Sequence, residues 1–231
     1  MRIGIQKTSL VDFPGRVSAV LFMRGCNMRC PYCHNPRLVV PEDEEDEALV
    51  TPKEALEFLD RRRSVLSGAV LSGGEPTLHK DLPALAADIR SLGYKVKLDT
   101  NGTMPDCIAA VGADYIAMDI KTSFQRYQEL WPGSPPDASE RLRRSMRMIR
   151  DSGSGYEFRI TCAPGIFTES DAEMVAGLLE ERDTIILQRY RQGRVLDPAW
   201  AGGVSPYTEE RLSGLLAIVR RAAPMARIRG L

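Results

Sequence analysis

Three cysteines packed into eight residues, Cys26-Asn27-Met28-Arg29-Cys30-Pro31-Tyr32-Cys33, are the side chains here best suited to bind a metal. Thiolates are soft ligands that select zinc or iron-sulfur centres. The chain holds five cysteines in all, an odd number, and three of them are bunched. That pattern departs from the spaced, even set of a secreted disulfide scaffold. A structural zinc knuckle completed by His34 is the plainer alternative, since zinc accepts three sulfurs and one imidazole. His34 adjoins Cys33, however, and sequence neighbours rarely reach one ion without strain. Cys107 and Cys162 stand alone and read as small buried apolar side chains. A cubane cluster normally takes four cysteines, so a three-thiolate set leaves one iron without a protein ligand and open to substrate.

Other segments gain meaning from where they fall. Short apolar runs of strand character are expected at 18–23, 68–71, 95–99, 115–119, 156–162 and 184–190, alternating with segments of helical period. Thr51-Pro52-Lys53-Glu54 joins an N-cap, a first-turn proline and a capping-box glutamate, and Thr168-Glu169-Ser170-Asp171 offers a related helix start. Gly93 and Gly153 read as helix stops. Repeated alternation predicts an α/β fold with a parallel sheet, either doubly wound or curved toward a barrel that six βα units would leave incomplete. In both architectures ligands sit at the carboxyl ends of the strands. The cysteine loop leaves the first of these strands, Ser72-Gly73-Gly74-Glu75-Pro76-Thr77 the second, Asp99-Thr100-Asn101-Gly102 the third and Asp119-Ile120-Lys121 the fourth. Taken singly, the glycine pair and the third segment are turns, and the fourth is an ordinary salt-bridge pair.

Composition narrows the class. Lys plus Arg and Asp plus Glu each total 31, for a formal net charge of zero, so no basic surface marks nucleic acid as a partner. Apolar stretches such as 17–23 are far too short to span a bilayer, and the first residues lack a signal-peptide pattern, so a cytoplasmic protein without a membrane partner is expected. No proline-rich or Ser/Gly-rich linker divides residues 1–231, which read as one domain. The acidic run 42–47 reads as a solvated loop, and Trp131-Pro132-Gly133-Ser134-Pro135-Pro136 as a connection.

The C-x3-C-x2-C spacing, with Tyr32 before the last cysteine, resembles the hallmark of the radical S-adenosylmethionine superfamily. The resemblance implies an incomplete (β/α)6 barrel of the radical SAM type. It also implies a [4Fe-4S] cluster on Cys26, Cys30 and Cys33, whose fourth iron is chelated by the methionyl group of S-adenosylmethionine. Gly73-Gly74-Glu75-Pro76 resembles the motif that holds the methionyl amino group. Asp99-Thr100-Asn101-Gly102 and Asp119-Ile120-Lys121 resemble cofactor-lining segments of the glycyl-radical-enzyme activases. By the same similarity Asp99, Thr100, Asp119 and the Ala117 carbonyl would enclose a monovalent cation, and Arg159, Thr161 and Gln188 would meet the cofactor's carboxylate and ribose. Thr8-Ser9-Leu10-Val11-Asp12-Phe13-Pro14-Gly15, Arg24-Gly25-Cys26 and His34-Asn35-Pro36 look like the activating proteins of anaerobic ribonucleoside-triphosphate reductase. The expected partners are then a large glycyl radical enzyme and a flavodoxin or ferredoxin as electron donor. Lys121 is placed to influence the approach of the glycine. Activation of pyruvate formate-lyase is the runner-up, and a small-molecule radical enzyme such as a deazapurine carboxy-synthase another. The acidic run 42–47 is longer than the resemblance leads one to expect, and no second cysteine set precedes Thr51.

Overall fold

A computed structural model of the chain describes residues 1–39 and 49–230. Strand β1 (Ile3–Ser9) pairs antiparallel with β2 (Ser18–Met23), and the chain then leaves the sheet through the cysteine loop to α1 (Pro36–Val39) and α2 (Pro52–Asp60). Alternation follows: β3 (Gly68–Gly73), α3 (Leu82–Ser91), β4 (Lys95–Thr100), α4 (Pro105–Val111), β5 (Tyr115–Asp119), α5 (Ala138–Asp151), β6 (Gly155–Cys162) and α6 (Glu169–Ala176). The chain closes with β7 (Ile185–Arg189), α7 (Pro198–Gly202), α8 (Glu209–Arg220) and β8 (Arg227–Arg229).

Strand order decides between the two expected architectures. The strands lie in sequence order, β1 through β8, with β2 to β8 mutually parallel. A doubly wound sheet reverses its order at a switch point. Here every parallel crossover advances the same way, and since such crossovers are right-handed the helices gather on one face. Among the described residues β1 and β8 do not pair, so the result is a partial barrel. The six expected strands all form, within two residues at each end, and β1 and β8 extend the sheet beyond them.

Local signals set the helix starts. Thr51 and Glu54 form a reciprocal capping box with Pro52 in the first turn, and Thr168 forms one with Asp171. Strand periodicity then divides the residues between two faces. Leu21, Leu71, Leu98 and Ile116 stand in register on neighbouring strands, fully or almost fully buried in the large core beneath the helices. Val20 and Val70 point the other way, into a small separate cluster with Phe13, Phe22 and Tyr115 that fills one end of the barrel. Trp131 is buried within the turn region that serves as the expected connection. The acidic run 42–47 lies outside the described residues. Among those residues no helix is long and apolar enough to cross a membrane.

Candidate active site

A cleft of about 260 Å³ opens at the carboxyl ends of β2 to β6, opposite the Phe13 cluster. Cys26, Cys30 and Cys33 line one side of it together with Tyr32. Backbone contacts fix their loop at several points: Arg29 N–H donates to the Leu130 carbonyl at 2.7 Å, Cys33 N–H to the Cys30 carbonyl at 3.0 Å, and Leu196 N–H to the Cys33 carbonyl at 2.9 Å. Burial pushes the Cys26 thiol up to about 11, and it raises Cys30 as well.

The turn after β3 is locked to this loop by main-chain bonds. Gly74 N–H donates to the Met23 carbonyl and Glu75 N–H to the Gly25 carbonyl, both at 2.8 Å. Gly73 sits at φ 124°, and a Cβ on Gly74 would lie 2.1 Å from the Gly25 carbonyl oxygen and 2.9 Å from that of Leu38. Glycine is therefore required at position 74 by the close pass of two backbones, before any ligand is considered. Glu75 is 1% exposed and saturated with donors. Its Oε1 accepts from the Thr77 amide and hydroxyl and from the Thr100 hydroxyl at 2.8 Å, and its Oε2 from the Asn101 amide at 2.6 Å. Burial raises its pKa against the pull of those bonds. Glu75 thus ties the β3 turn to the β4 turn. Asn101 goes on to reach the cysteine loop, donating from Nδ2 to Asn27 Oδ1 at 2.9 Å.

Charge collects on the inner face of β4 to β6. Arg159 Nε donates to Asp119 at 2.7 Å and its Nη1 to Asp99 at 3.3 Å, while Lys121 Nζ donates to the other oxygen of Asp119 at 3.0 Å. Lys97, 2% exposed, pairs with Asp99, and Ser72 donates to the second oxygen of Asp99 at 3.1 Å. Burial alone would raise Asp119, but the cations of Arg159 and Lys121 outweigh it and hold this carboxyl well below the usual range. Burial would lower Lys121, yet Asp119 and the nearby Cys30 hold it above the ordinary lysine value.

The structure brings nearly every expected site residue to this cleft. From the strand ends come Gly73, Gly74 and Glu75, then Asp99, Thr100 and Asn101, then Asp119 and Lys121, and finally Arg159 and Thr161. Gln188 does not line it, although its register partner Thr161 does. Asp99 and Ala117 are also register partners, but the carboxylate oxygens of Asp99 and Asp119 are matched by Lys97, Arg159 and Lys121, and the Thr100 hydroxyl by Glu75. Sequence reasoning missed Lys97 and Asn27. Lys97 had a signal, because a Lys-x-Asp pair on a strand shares a face and Asp99 was already a candidate. Asn27 had none beyond its place in the loop.

Three thiols facing a polar wall suit an iron-sulfur cluster and an attached polar ligand better than a zinc knuckle. His34 lies with Nδ1 3.2 Å from the Arg194 carbonyl and with its ring stacked on Tyr190. Among the described residues no three His, Cys, Asp or Glu side chains converge on a point that one ion could fill. A knuckle needs that convergence, whereas a cubane takes a single thiolate at each iron corner. The Tyr32 hydroxyl is buried in the cleft wall against the Cys30 thiol.

Residues 20–178 match the Radical SAM superfamily. The chain belongs to that superfamily. Its radical SAM relatives include a protein of Methanocaldococcus jannaschii described as a candidate glycyl-radical enzyme activating enzyme, 33% identical over 81% of this chain and 78% of that one. The pyruvate formate-lyase-activating enzyme of Streptococcus mutans is 31% identical over 71% of this chain and 65% of its own length. Among solved structures, Streptococcus suis SuiB bound to S-adenosylmethionine superposes with a TM-score of 0.64 at 16% identity, covering 91% of this chain and 52% of SuiB. At that identity the likeness concerns the fold. The partial barrel implied by the cysteine motif is thus the fold of this radical SAM protein, and the superfamily implies a [4Fe-4S] cluster and S-adenosylmethionine as its cofactors.

Proposed function

We propose that the protein is an activase that installs a glycyl radical on a large partner enzyme, with anaerobic ribonucleoside-triphosphate reductase as that partner. The observation that carries the reading is the meeting, in one cleft at the strand ends, of three thiols with the Gly73–Gly74 turn and the charged wall of Asp119, Lys121 and Arg159. Relatives described as activases, one of them aligned over four fifths of the chain, support it. The flanking sequences around Thr8, Gly25 and His34 favour the reductase, and the Streptococcus relative favours pyruvate formate-lyase as the second reading.

In this reading Cys26, Cys30 and Cys33 would hold the cluster, and the Gly73–Gly74 turn, locked against their loop, would line the place of S-adenosylmethionine beside it. Bound together, these groups supply one-electron cleavage of a sulfonium and a carbon radical that takes a hydrogen atom from a glycine Cα. The chain's own residues position and shield. Arg159 and Lys121, held charged by Asp119 and Asp99, present cations to an anionic cofactor group. Thr161 and Asn101 offer polar contacts from either side of them. Glu75 fixes the relative height of the two turns, with both of its oxygens accepting hydrogen bonds from within the chain. A monovalent cation at Asp99, Thr100, Ala117 and Asp119 would share those carboxylates with Lys97, Arg159 and Lys121.

The test is anaerobic. Reduced protein, S-adenosylmethionine and the reductase are mixed, and paramagnetic resonance is used to look for a glycyl doublet with matching release of 5′-deoxyadenosine. The doublet is expected with the reductase and absent with a Cys30→Ala chain. Its appearance only with a formate-lyase would move the assignment to the second reading. Turnover driven by a small metabolite, with no protein radical under any pairing, would sink the activase reading.

A further inference from the structure

In the activase reading a polypeptide loop would fill the cleft mouth, which leaves the side wall beside the cysteines as a route for an electron. Two stretches of chain build that side wall. Residues 31–37 hold Tyr32, Cys33 and His34, and residues 191–200 pack against them. Asp197 N–H donates to the Pro31 carbonyl at 3.1 Å, beside the bond from Leu196 to Cys33 and the contact of His34 with the Arg194 carbonyl. Between the stretches runs a continuous series of ring contacts: Tyr32 lies tilted against Trp200 with ring centroids 6.3 Å apart, Trp200 edge-on to Tyr190 at 5.2 Å, and Tyr190 stacked on His34 at 6.1 Å. Tyr32 and Tyr190 are buried, the Tyr32 hydroxyl against the Cys30 thiol, and packing orders both rings. Trp200 is half-buried and His34 exposed, which brings the series to the surface. Packed atoms couple electron transfer better than a water-filled gap does.

The same wall is positive. Arg37, Arg191 and Arg194 are exposed on it. Its two stretches contain one carboxylate, that of Asp197, which accepts from the Trp200 amide at 3.0 Å as the cap of α7. Complementary charge is what brings redox proteins together quickly and in register.

We infer that this wall is the docking face for an acidic one-electron carrier protein, and that the contact between Tyr32 and Trp200 couples the carrier to Cys33. The inference rests on the proposed reading of the three cysteines as cluster ligands. One electron passes from the reduced carrier to the cluster; the carrier is oxidised by one unit, the cluster reduced by one, and no bond or proton changes place.

The test follows cluster reduction by stopped flow in the reconstituted full chain, with reduced flavodoxin as the carrier. An Arg191→Glu/Arg194→Glu chain keeps its iron content and is reduced by dithionite to the same extent as the parent. Its second-order rate with flavodoxin falls about tenfold at low ionic strength, and the gap closes as salt is added. Trp200→Leu keeps the salt dependence and slows the first-order step at saturating flavodoxin. An unchanged flavodoxin rate in the double variant, or in the milder Arg191→Gln/Arg194→Gln chain if the first loses iron, would overturn the docking face. A parent chain that holds no cluster would instead overturn the reading of the cysteines.

Discussion

Lys97 and Leu98 are neighbours on β4, yet they point to opposite faces of the sheet and live under opposite conditions. Leu98 is fully buried in the core between sheet and helices, in register with Leu71 and Ile116. Lys97 is almost as buried, but among charges: Asp99 beside it, and through Asp99 the chain of Arg159, Asp119 and Lys121. On the helix-covered face position is set by volume, and any apolar residue of the right shape would serve. On the inner face it is set by a sequence of alternating charges in which each member satisfies the next.

The comparison can be broken by a pair of single substitutions. Leu98→Ala is expected to cost about 2–5 kcal/mol in urea unfolding, as truncations in a packed core do, while leaving ligand affinity at the cleft unchanged in the fraction still folded. Lys97→Met is expected to cost only about 1–2 kcal/mol, less than a broken buried pair usually does, because Asp99 keeps Arg159 and Ser72. Its effect should appear instead as weaker S-adenosylmethionine binding by calorimetry. If the two variants showed the same pattern, the division between the faces would be wrong.

A smaller effect sharpens the boundary between fold and site. The resemblance implies that the Gly73–Gly74 turn meets the cofactor, but the space a Cβ on Gly74 would take holds the carbonyls of Gly25 and Leu38. Gly74→Ala is therefore expected to destabilise by about 1–3 kcal/mol, as overpacking does, and to lower the iron content on reconstitution because the cysteine loop is displaced. Full iron with loss of cofactor binding alone would restore the simpler explanation.

The smallest effect separates the inner charge chain from a polar cluster outside it. Asp171, 1% exposed, takes hydrogen bonds from Thr122, Ser123 and Thr168 and pairs with Arg126. Burial would raise its carboxyl, but these partners hold it down at about 2 against an ordinary 3.8. A depressed carboxylate stabilises the fold above its unfolded pKa, and the contribution is lost as pH falls through the folded value. Asp171→Asn should thus be less stable than the parent by about 1 kcal/mol at neutral pH, the shift being discounted for solvent screening of the Arg126 pair. Denaturant midpoints measured from pH 5 downward should converge between about 4 and 2, and a gap still constant near pH 2 would refute the assignment.

Much of this molecule was legible in its sequence, for reasons that also explain what was not. The six inner strands are apolar on one or both faces and bounded by turn residues, so pattern alone found them. Strand β1 carries Gln6, Lys7 and Thr8 in exposed positions at a sheet edge, and β8 is Arg227-Ile228-Arg229, too short and too charged for any periodic signal. Both are strands only because a neighbour offers its free hydrogen bonds. Motif order was enough to place the cysteine loop and the four strand-end segments around a common cleft. It was not enough for Gln188, whose register is right but which stands outside the lining, nor for Asn27, whose partners lie 74 and 76 residues away. Contacts set by tertiary folding leave no local trace.

Among the described residues β1 and β8 stay unpaired, and that has a mechanical side. In a closed barrel strand number and stagger fix the radius, and the interior can neither widen nor narrow without breaking a ladder. A sheet with two unjoined edges behaves as a sprung clip, its curvature set by how the helices pack on its back. Its girth is therefore set by how those helices pack and not by a closed ladder of strand pairs.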